Sequence, residues 1–417
     1  MDLVPAIGEK EQRVVAPAGP LPTDFVVLLA QALHRQGMAC HHLESLLGRV
    51  AERLGLRSHM LALPTAFLAS LDDGRASAGA RSVIVRIDPG SLDLSRQSKL
   101  IMVGRQVAAG TLSIDAAAER VGEIEREPGL AWWLQLPAGA VVAGAAGRLF
   151  GGGFGEMLLA ALIGLFVAIL TRAIRATRTQ RLHDPLAASV AALIASAGSA
   201  WIVEASPAIV VLGGLMLLLP GYAFTVALDE LAARHLVAGT ARSMGALTVI
   251  LFLGLSVLLA GKLTLALPAA PLFVALPVVP PWVDVVAIGL GLLGLGVWFR
   301  TPWRELPWVL VLGGAAEAIE RLSVGTLEVP LAASLAALFL ALSCNSVARV
   351  AGRVANAVLA PALMLLLPGS LGLRSMFALS ANNVISGVET AYQMLLVAVA
   401  IVTGLLLGNL LLPSRRQ

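Results

Sequence analysis

Within fourteen positions this chain gathers Asp229, Glu230, Arg234, His235 and Arg242, all beside a long apolar stretch. Charged groups at such a place cost several kcal/mol unless they are paired or hydrated, so each is a functional candidate by default. Asp229 can exchange a proton, and Arg242 can hold a carboxylate or neutralise Asp229. Interfacial helix packing accounts for the same residues. A second set lies further on: Glu317 and Glu320 fall one helical turn apart and share a face. Asn345, Asn356, Asn382, Asn383 and Glu389 add donors and acceptors able to recognise the ammonium and carboxylate of a small zwitterion, or to stitch helices together.

A third set, His34, His41, His42 and Glu44, invites a metal or catalytic reading. No HExxH or equivalent ligand spacing is present, and a metal site needs three or four convergent donors, so neither metal nor cofactor is expected. A sensing or gating surface and ordinary hydrogen bonding are the readings that stand. Ser45 and Ser58 lack a glycine-framed nucleophile elbow, which leaves serine hydrolysis without support.

Composition says what must position these groups. Hydrophobic residues make up 58% of the 417, charged residues only 13%, and mean hydropathy is +0.84. The charges are uneven: residues 1–129 carry 14 basic and 15 acidic groups of a total of 56. After residue 130 nearly everything divides into helix-length apolar segments, which have no home in a water-soluble fold. The chain therefore reads as a polytopic α-helical membrane protein with an N-terminal soluble α+β domain. The net charge of +4 sits on the membrane part, where basic loops set topology, and does not indicate nucleic acid. Cys40 and Cys344 are too few for a disulfide framework or a zinc cluster.

Residues 1–22 read as a flexible tail with no signal-peptide core. The domain at 23–129 is expected to hold helices from Thr23 or Asp24 to Gly37, from His41 or His42 to Leu54, at Ser95–Ala109 and at Ile114–Glu125 capped by Ser113. Between them, His59–Leu63, Ala66–Leu71 and Arg81–Ile87 read as strands, the last ended by a turn at Asp88-Pro89-Gly90.

The membrane part divides into a five-span unit at 130–263, a Pro-rich external linker at 264–282, and a second five-span unit at 283–417. Arg172, Arg175, Arg178 and Arg181 place the second loop inside, and stepping through ten spans brings Arg349, Arg353, Arg415 and Arg416 to the same side. Both termini are then cytoplasmic. An odd number of spans per unit turns the second copy upside down, so two inverted five-helix repeats are expected. Each repeat carries a Leu-Leu-Leu-Pro-Gly break, with Pro220 and Gly221 in one and Pro368 and Gly369 in the other. Proline lacks a donor and glycine tolerates unusual angles, which suits an interrupted helix. The span count puts the first break toward the cytoplasm and the second toward the outside.

Leu33-His34-Arg35-Gln36-Gly37, His41-His42-Leu43-Glu44, Arg49–Gly55, Leu63–Phe67, Leu219-Pro220-Gly221, Asp229-Glu230-Leu231 and His235–Arg242 together resemble the threonine/serine exporter family, over about residues 24–412. The resemblance implies a secondary exporter of small amino acids in a bacterial-type inner membrane, driven by protons and surrounded by lipid, with a homo-oligomer compatible. It also implies that the soluble domain and the two membrane units, which occur on separate chains in some members, are fused here. Where the family often has arginine this chain has His42, and where it has a small hydroxyl residue this chain has Ala66. No Walker A motif supplies ATP hydrolysis. The alternatives are a membrane-anchored hydrolase with its active site in residues 23–129, and a channel or non-transporting scaffold.

Overall fold

The computed structural model describes residues 21–74, 80–87, 90, 92–174, 182–264, 278–352, 354–366 and 369–413. The tail to residue 20, the Asp88-Pro89 turn, Arg175, Arg178 and Arg181, most of the Pro-rich linker, Arg353, Pro368, Arg415 and Arg416 lie outside the described residues.

The N-terminal unit packs four helices, α1 (Pro22–Arg35), α2 (Cys40–Arg53), α3 (Leu94–Ala108) and α4 (Ile114–Arg126), with an antiparallel sheet of β1 (Arg57–Leu63), β2 (Ala66–Asp72) and β3 (Arg81–Arg86) in that order. In β2 the alternating Phe67, Ala69 and Leu71 are buried, as a period of two requires of a half-covered strand. They meet Phe25, Leu29, Leu33, Leu43, Leu47 and Val50 from α1 and α2 in one core. Ser113 caps α4 by accepting from the Ala116 N–H at 3.4 Å, as expected. The first helix differs from expectation: Pro22 takes its first turn behind Leu21, because a missing N–H costs nothing there, and Asp24 pairs with Arg81 at 2.5 Å.

Twelve α-helices follow: α5 (Trp132–Leu149), α6 (Phe154–Ile174), α7 (His183–Trp201), α8 (Pro207–Gly214), α9 (Gly221–Ala232), α10 (Leu236–Thr264), α11 (Trp282–Trp298), α12 (Leu306–Ser323), α13 (Val329–Ala351), α14 (Asn356–Leu366), α15 (Gly369–Ser380) and α16 (Val384–Leu411). Among the described residues five stretches are long and apolar enough to cross a bilayer: Phe154–Ile174, Leu236–Ala260, Val329–Ala351, Asn356–Ser380 and Val384–Leu411. A sixth appears if the pair Pro207–Gly214 and Met216–Ala232, bent by 51°, is one broken span. This is a polytopic membrane protein. Of the expected ten spans, α11 is apolar but only 17 residues long, and α12 carries Glu317, Glu320 and Arg321. The last helix starts six residues before the expected Thr390, because the Asn383 side chain accepts from the Ser386 N–H at 3.3 Å and caps it.

The two helical series recur in order and in packing. α7 lies on α10 as α13 lies on α16, α9 on α10 as α15 on α16, and α6 on α8 as α12 on α14. Helices α9 and α15 start at glycines 148 residues apart, and the same spacing separates the left-handed turn residues Arg234 (φ 65°) and Asn382 (φ 58°). The seam between the series runs along α5 and α11.

The location of the breaks corrects the expectation. A Cβ placed on Gly369 would stand 3.2 Å from the Gly221 nitrogen, 3.3 Å from its Cα and 3.2 Å from the Leu219 Cβ. Gly221 and Gly369 abut, so the breaks meet instead of facing opposite sides. Counting each broken helix as ending at a membrane face set the two breaks apart, whereas each helix stops and restarts within its path and the restarts meet. Replacing Gly369 with valine is expected to cost about 1–3 kcal/mol by overpacking, because backbone atoms line the contact and cannot swing aside. Unfolding temperature in detergent checks this, with Gly314→Ala, where a Cβ meets open space, as the neutral comparison.

Candidate functional site

The first turn of a helix leaves its N–H groups without intrahelical partners. In α2 and α3 those groups are satisfied from the membrane helices. The Cys40 N–H donates to Glu230 Oε1 at 2.9 Å, and the Leu94 and Ser95 N–H groups donate to the carbonyls of Phe299 and Arg300 at 3.0 and 3.1 Å. This is why α2 starts at Cys40, ahead of the expected histidines. Arg300 also reaches Asp93 at 2.8 Å, and Asn356 donates its amide to Gln97 Oε1 at 2.8 Å.

Glu230 is fully buried and is held by Arg242, whose Nε donates to Oε2 at 3.1 Å and Nη2 to Oε1 at 3.0 Å. The two-point fork fixes both side chains more tightly than a single contact could. Arg242 thus neutralises Glu230, and not Asp229 as one sequence reading had it. Its Nη2 also lies 3.9 Å from Cys40 Sγ. Burial and the Glu230 carboxylate push that thiol up to about 12, which leaves it unreactive.

Asp229, one residue earlier on α9, faces the other way, toward two imidazoles. His41 Nε2 lies 3.3 Å from Asp229 Oδ2, and the rings of His41 and His42 lie 4.0 Å apart, tilted by 43°. Burial is the largest influence on both rings and lowers each to about 4, against the opposing pull of the carboxylates. At neutral pH the contact is therefore a neutral imidazole beside an acid. His41, His42 and Asp229 can bring three ligand atoms within 4.8 Å of one another, one donor short of a closed structural zinc set. His235 Nδ1 lies 3.6 Å from Glu44 Oε1, which also accepts from the Ala62 N–H at 2.7 Å. His34 Nε2 donates to the Pro64 carbonyl at 2.9 Å, and burial lowers its pKa.

A cavity of about 110 Å³ opens beside this cluster. Its walls are helical stripes: His42, Leu46 and Arg49 on α2; Gln97, Ile101 and Arg105 on α3; Tyr222, Thr225 and Asp229 on α9. Asn345, Asn356 and Asn409 close it from the second series. The structure thus gathers Asp229, His42, Asn345 and Asn356 of the sequence candidates around one space. It leaves the others elsewhere. Glu317 pairs with Arg321 along α12 at 2.7 Å, Asn382 and Asn383 form the exposed turn between α15 and α16, and Glu389 is exposed on α16. Tyr222 and Thr225 escaped the sequence reading, although Thr225 lies four residues before Asp229 and Tyr222 a further three before that, which puts all three on one helix face. Gln97 and Asn356 stand 259 positions apart and left no local signal.

Two outcomes follow. Glu230→Gln is expected to destabilise the fold by about 3 kcal/mol, because it strips the counter-charge from a mostly buried guanidinium; chemical denaturation in detergent reads this, and an unchanged midpoint contradicts it. Both His41 and His42 titrate near 6.5 once released, so between pH 6.5 and 4 the unfolded chain binds more protons than the fold. Stability is complete above 6.5 and is expected to fall as pH drops through that window, with the fall reduced in His42→Gln; unfolding temperature against pH measures it.

Comparison with known proteins gives the cluster a context. The ThrE family model, a threonine/serine exporter description, matches residues 24–264, and a second described as "Threonine/Serine exporter, ThrE" matches residues 284–411. Among curated proteins, "Pheromone-regulated membrane protein 10" of Eremothecium gossypii is 24% identical over 380 residues, covering 87% of this chain and 50% of its own length. The protein of the same name from Zygosaccharomyces rouxii is 23% identical over 381 residues, covering 89% of this chain and 38% of its own. The chain thus spans half or less of the length of these relatives. No solved structure matches it. With both family models together covering nearly all of residues 24–411, the chain belongs to the threonine/serine exporter family.

Proposed function

We propose that this protein is a secondary active exporter of small amino acids such as threonine and serine, with protons as the coupling ion. The observation that carries the reading is the cavity where the N-terminal unit and both helical series meet, walled by Asp229, Tyr222, Thr225, Asn345 and Asn356. A space shared by two repeated halves can be opened to either side by rocking one half against the other, with the site itself unmoved. The meeting of the two breaks at Gly221 and Gly369 supports the same reading, since interrupted helices at the centre of a repeat pair are a recurrent feature of such transporters. In this reading the repeats are inverted, ten passes cross a bacterial-type inner membrane, both termini are cytoplasmic, and the N-terminal unit sits over the inner mouth.

Asp229 is the proton carrier in this scheme. It lines the cavity, sits beside imidazoles that stay neutral, and lacks the arginine that its neighbour Glu230 has. A carboxyl group in such a place can exchange a proton within reach of the cavity without breaking the clamp on the N-terminal unit. Proteoliposomes loaded with labelled threonine or serine and given an imposed proton gradient test the proposal. Gradient-dependent flux is expected, and Asp229→Asn is expected to lower it at least tenfold and to flatten its pH dependence. Absence of coupled flux across a panel of small amino acids would overturn the exporter reading, whereas full activity in Asp229→Asn would remove Asp229 alone.

A further inference from the structure

The cavity has a second charged end. Arg49 on α2 and Arg105 on α3 both line it, and both have guanidinium nitrogens, Arg49 Nη2 and Arg105 Nε, that are buried with no hydrogen-bond partner. The Arg49 Nη1 donates to the Ser45 hydroxyl at 3.0 Å, which leaves its charge uncompensated. Among the described residues neither arginine forms an ion pair with a carboxylate, while Arg96, Arg148, Arg242, Arg300 and Arg321 all do. The two are close enough that the charge of Arg105 adds to burial in lowering the pKa of Arg49, and burial lowers that of Arg105. Desolvating a charge is unfavourable unless it is paired, and placing two like charges together compounds it. A guanidinium presents a planar fork of donors matched to the two oxygens of a carboxylate.

We infer that Arg49 and Arg105 form a carboxylate subsite, which takes the carboxylate of the solute that enters the cavity. Seven residues of α2 separate Arg49 from His42, about 10 Å along the helix, so the cavity runs from an acid-lined end at Asp229 and His42 to a basic end at the arginines. Gln97, Asn356 and Tyr222 line the same cavity and offer neutral partners. A small amino acid sits with its carboxylate toward the arginines and its ammonium toward the amides and Asp229. Arg242, the sequence candidate for the carboxylate, is already occupied by Glu230. The assignment rests on the exporter reading for its solute class, but binding can be measured without transport.

The test uses the full chain in nanodiscs of phosphatidylcholine, with calorimetric affinities for L-threonine and L-serine and for L-threoninol and serinol, which replace the carboxylate with an alcohol. The wild type is expected to bind at least one acid tenfold or more tightly than its alcohol. Arg49→Gln and Arg105→Gln are each expected to erase that preference while leaving unfolding temperature unchanged or raised, since each relieves an unpaired charge. Arg105→Lys, which keeps charge but loses the fork, keeps the fold in question under control and is expected to show an intermediate preference. Equal binding of acid and alcohol, an undiminished preference in both glutamine variants, or no binding of either acid overturns the subsite. So does stabilisation by phosphatidylglycerol nanodiscs that depends on the arginines without any response to the amino acids, which assigns them to a lipid phosphate. Arginine-dependent binding without flux in proteoliposomes leaves the subsite standing and removes the exporter reading, and flux with arginine-independent binding does the reverse.

Discussion

One buried carboxylate ties the molecule together. Glu230 has no access to solvent, and an isolated charge in that position would unfold its surroundings; it is tolerated because Arg242 grips both oxygens and the backbone N–H of Cys40 occupies one of them. The three groups come from α9, α10 and α2, so satisfying the charge fixes where the N-terminal unit stands. A purely apolar contact could have slid by a residue or two. This one cannot, because the hydrogen-bond geometry has a single solution. The register of His41 and His42 against Asp229, and of Arg49 and Arg105 along the cavity, follows from it.

The same logic is repeated at α3, whose first N–H groups end on the carbonyls of Phe299 and Arg300. Arg300 adopts φ 55°, a conformation that L-residues rarely take, and its side chain turns back to Asp93 at 2.8 Å. The N-terminal unit is thus attached through the polar ends of two helices, one to each helical series. Most of its apolar core is internal, from Phe25 to Ile124, with Ala238 of α10 and Val354, just ahead of α14, joining it from outside. Polar attachment of an internally packed unit gives orientation without demanding a large greasy interface.

How much of this was legible in the sequence depends on distance along the chain. The strand Arg81–Arg86 announces itself by Val83 and Val85, and Ser113 announces its helix, because both signals are local. The Asp229–Arg242 cluster was legible as a group of charges beside an apolar run. Which acid took the arginine was not, because neighbours on a helix point in directions about 100° apart and the choice is made by α2, some 190 residues earlier. Arg49 and Arg105 carried no signal of their own in a polar segment, and only tertiary packing brings them, half-buried, to one cavity wall. Asn382, Asn383 and Glu389 resembled site residues by composition, yet Asn382 suits the left-handed turn it makes for backbone reasons of its own, and Asn383 caps α16.

The contact between Gly221 and Gly369 has a consequence for how this chain can vary. Because backbone meets backbone there, no side chain on one partner can shrink to accommodate growth on the other. A side chain at Gly369 is felt in full by the opposite half. The two helical series differ in loop length and charge almost everywhere else, but at this point they share one degree of freedom.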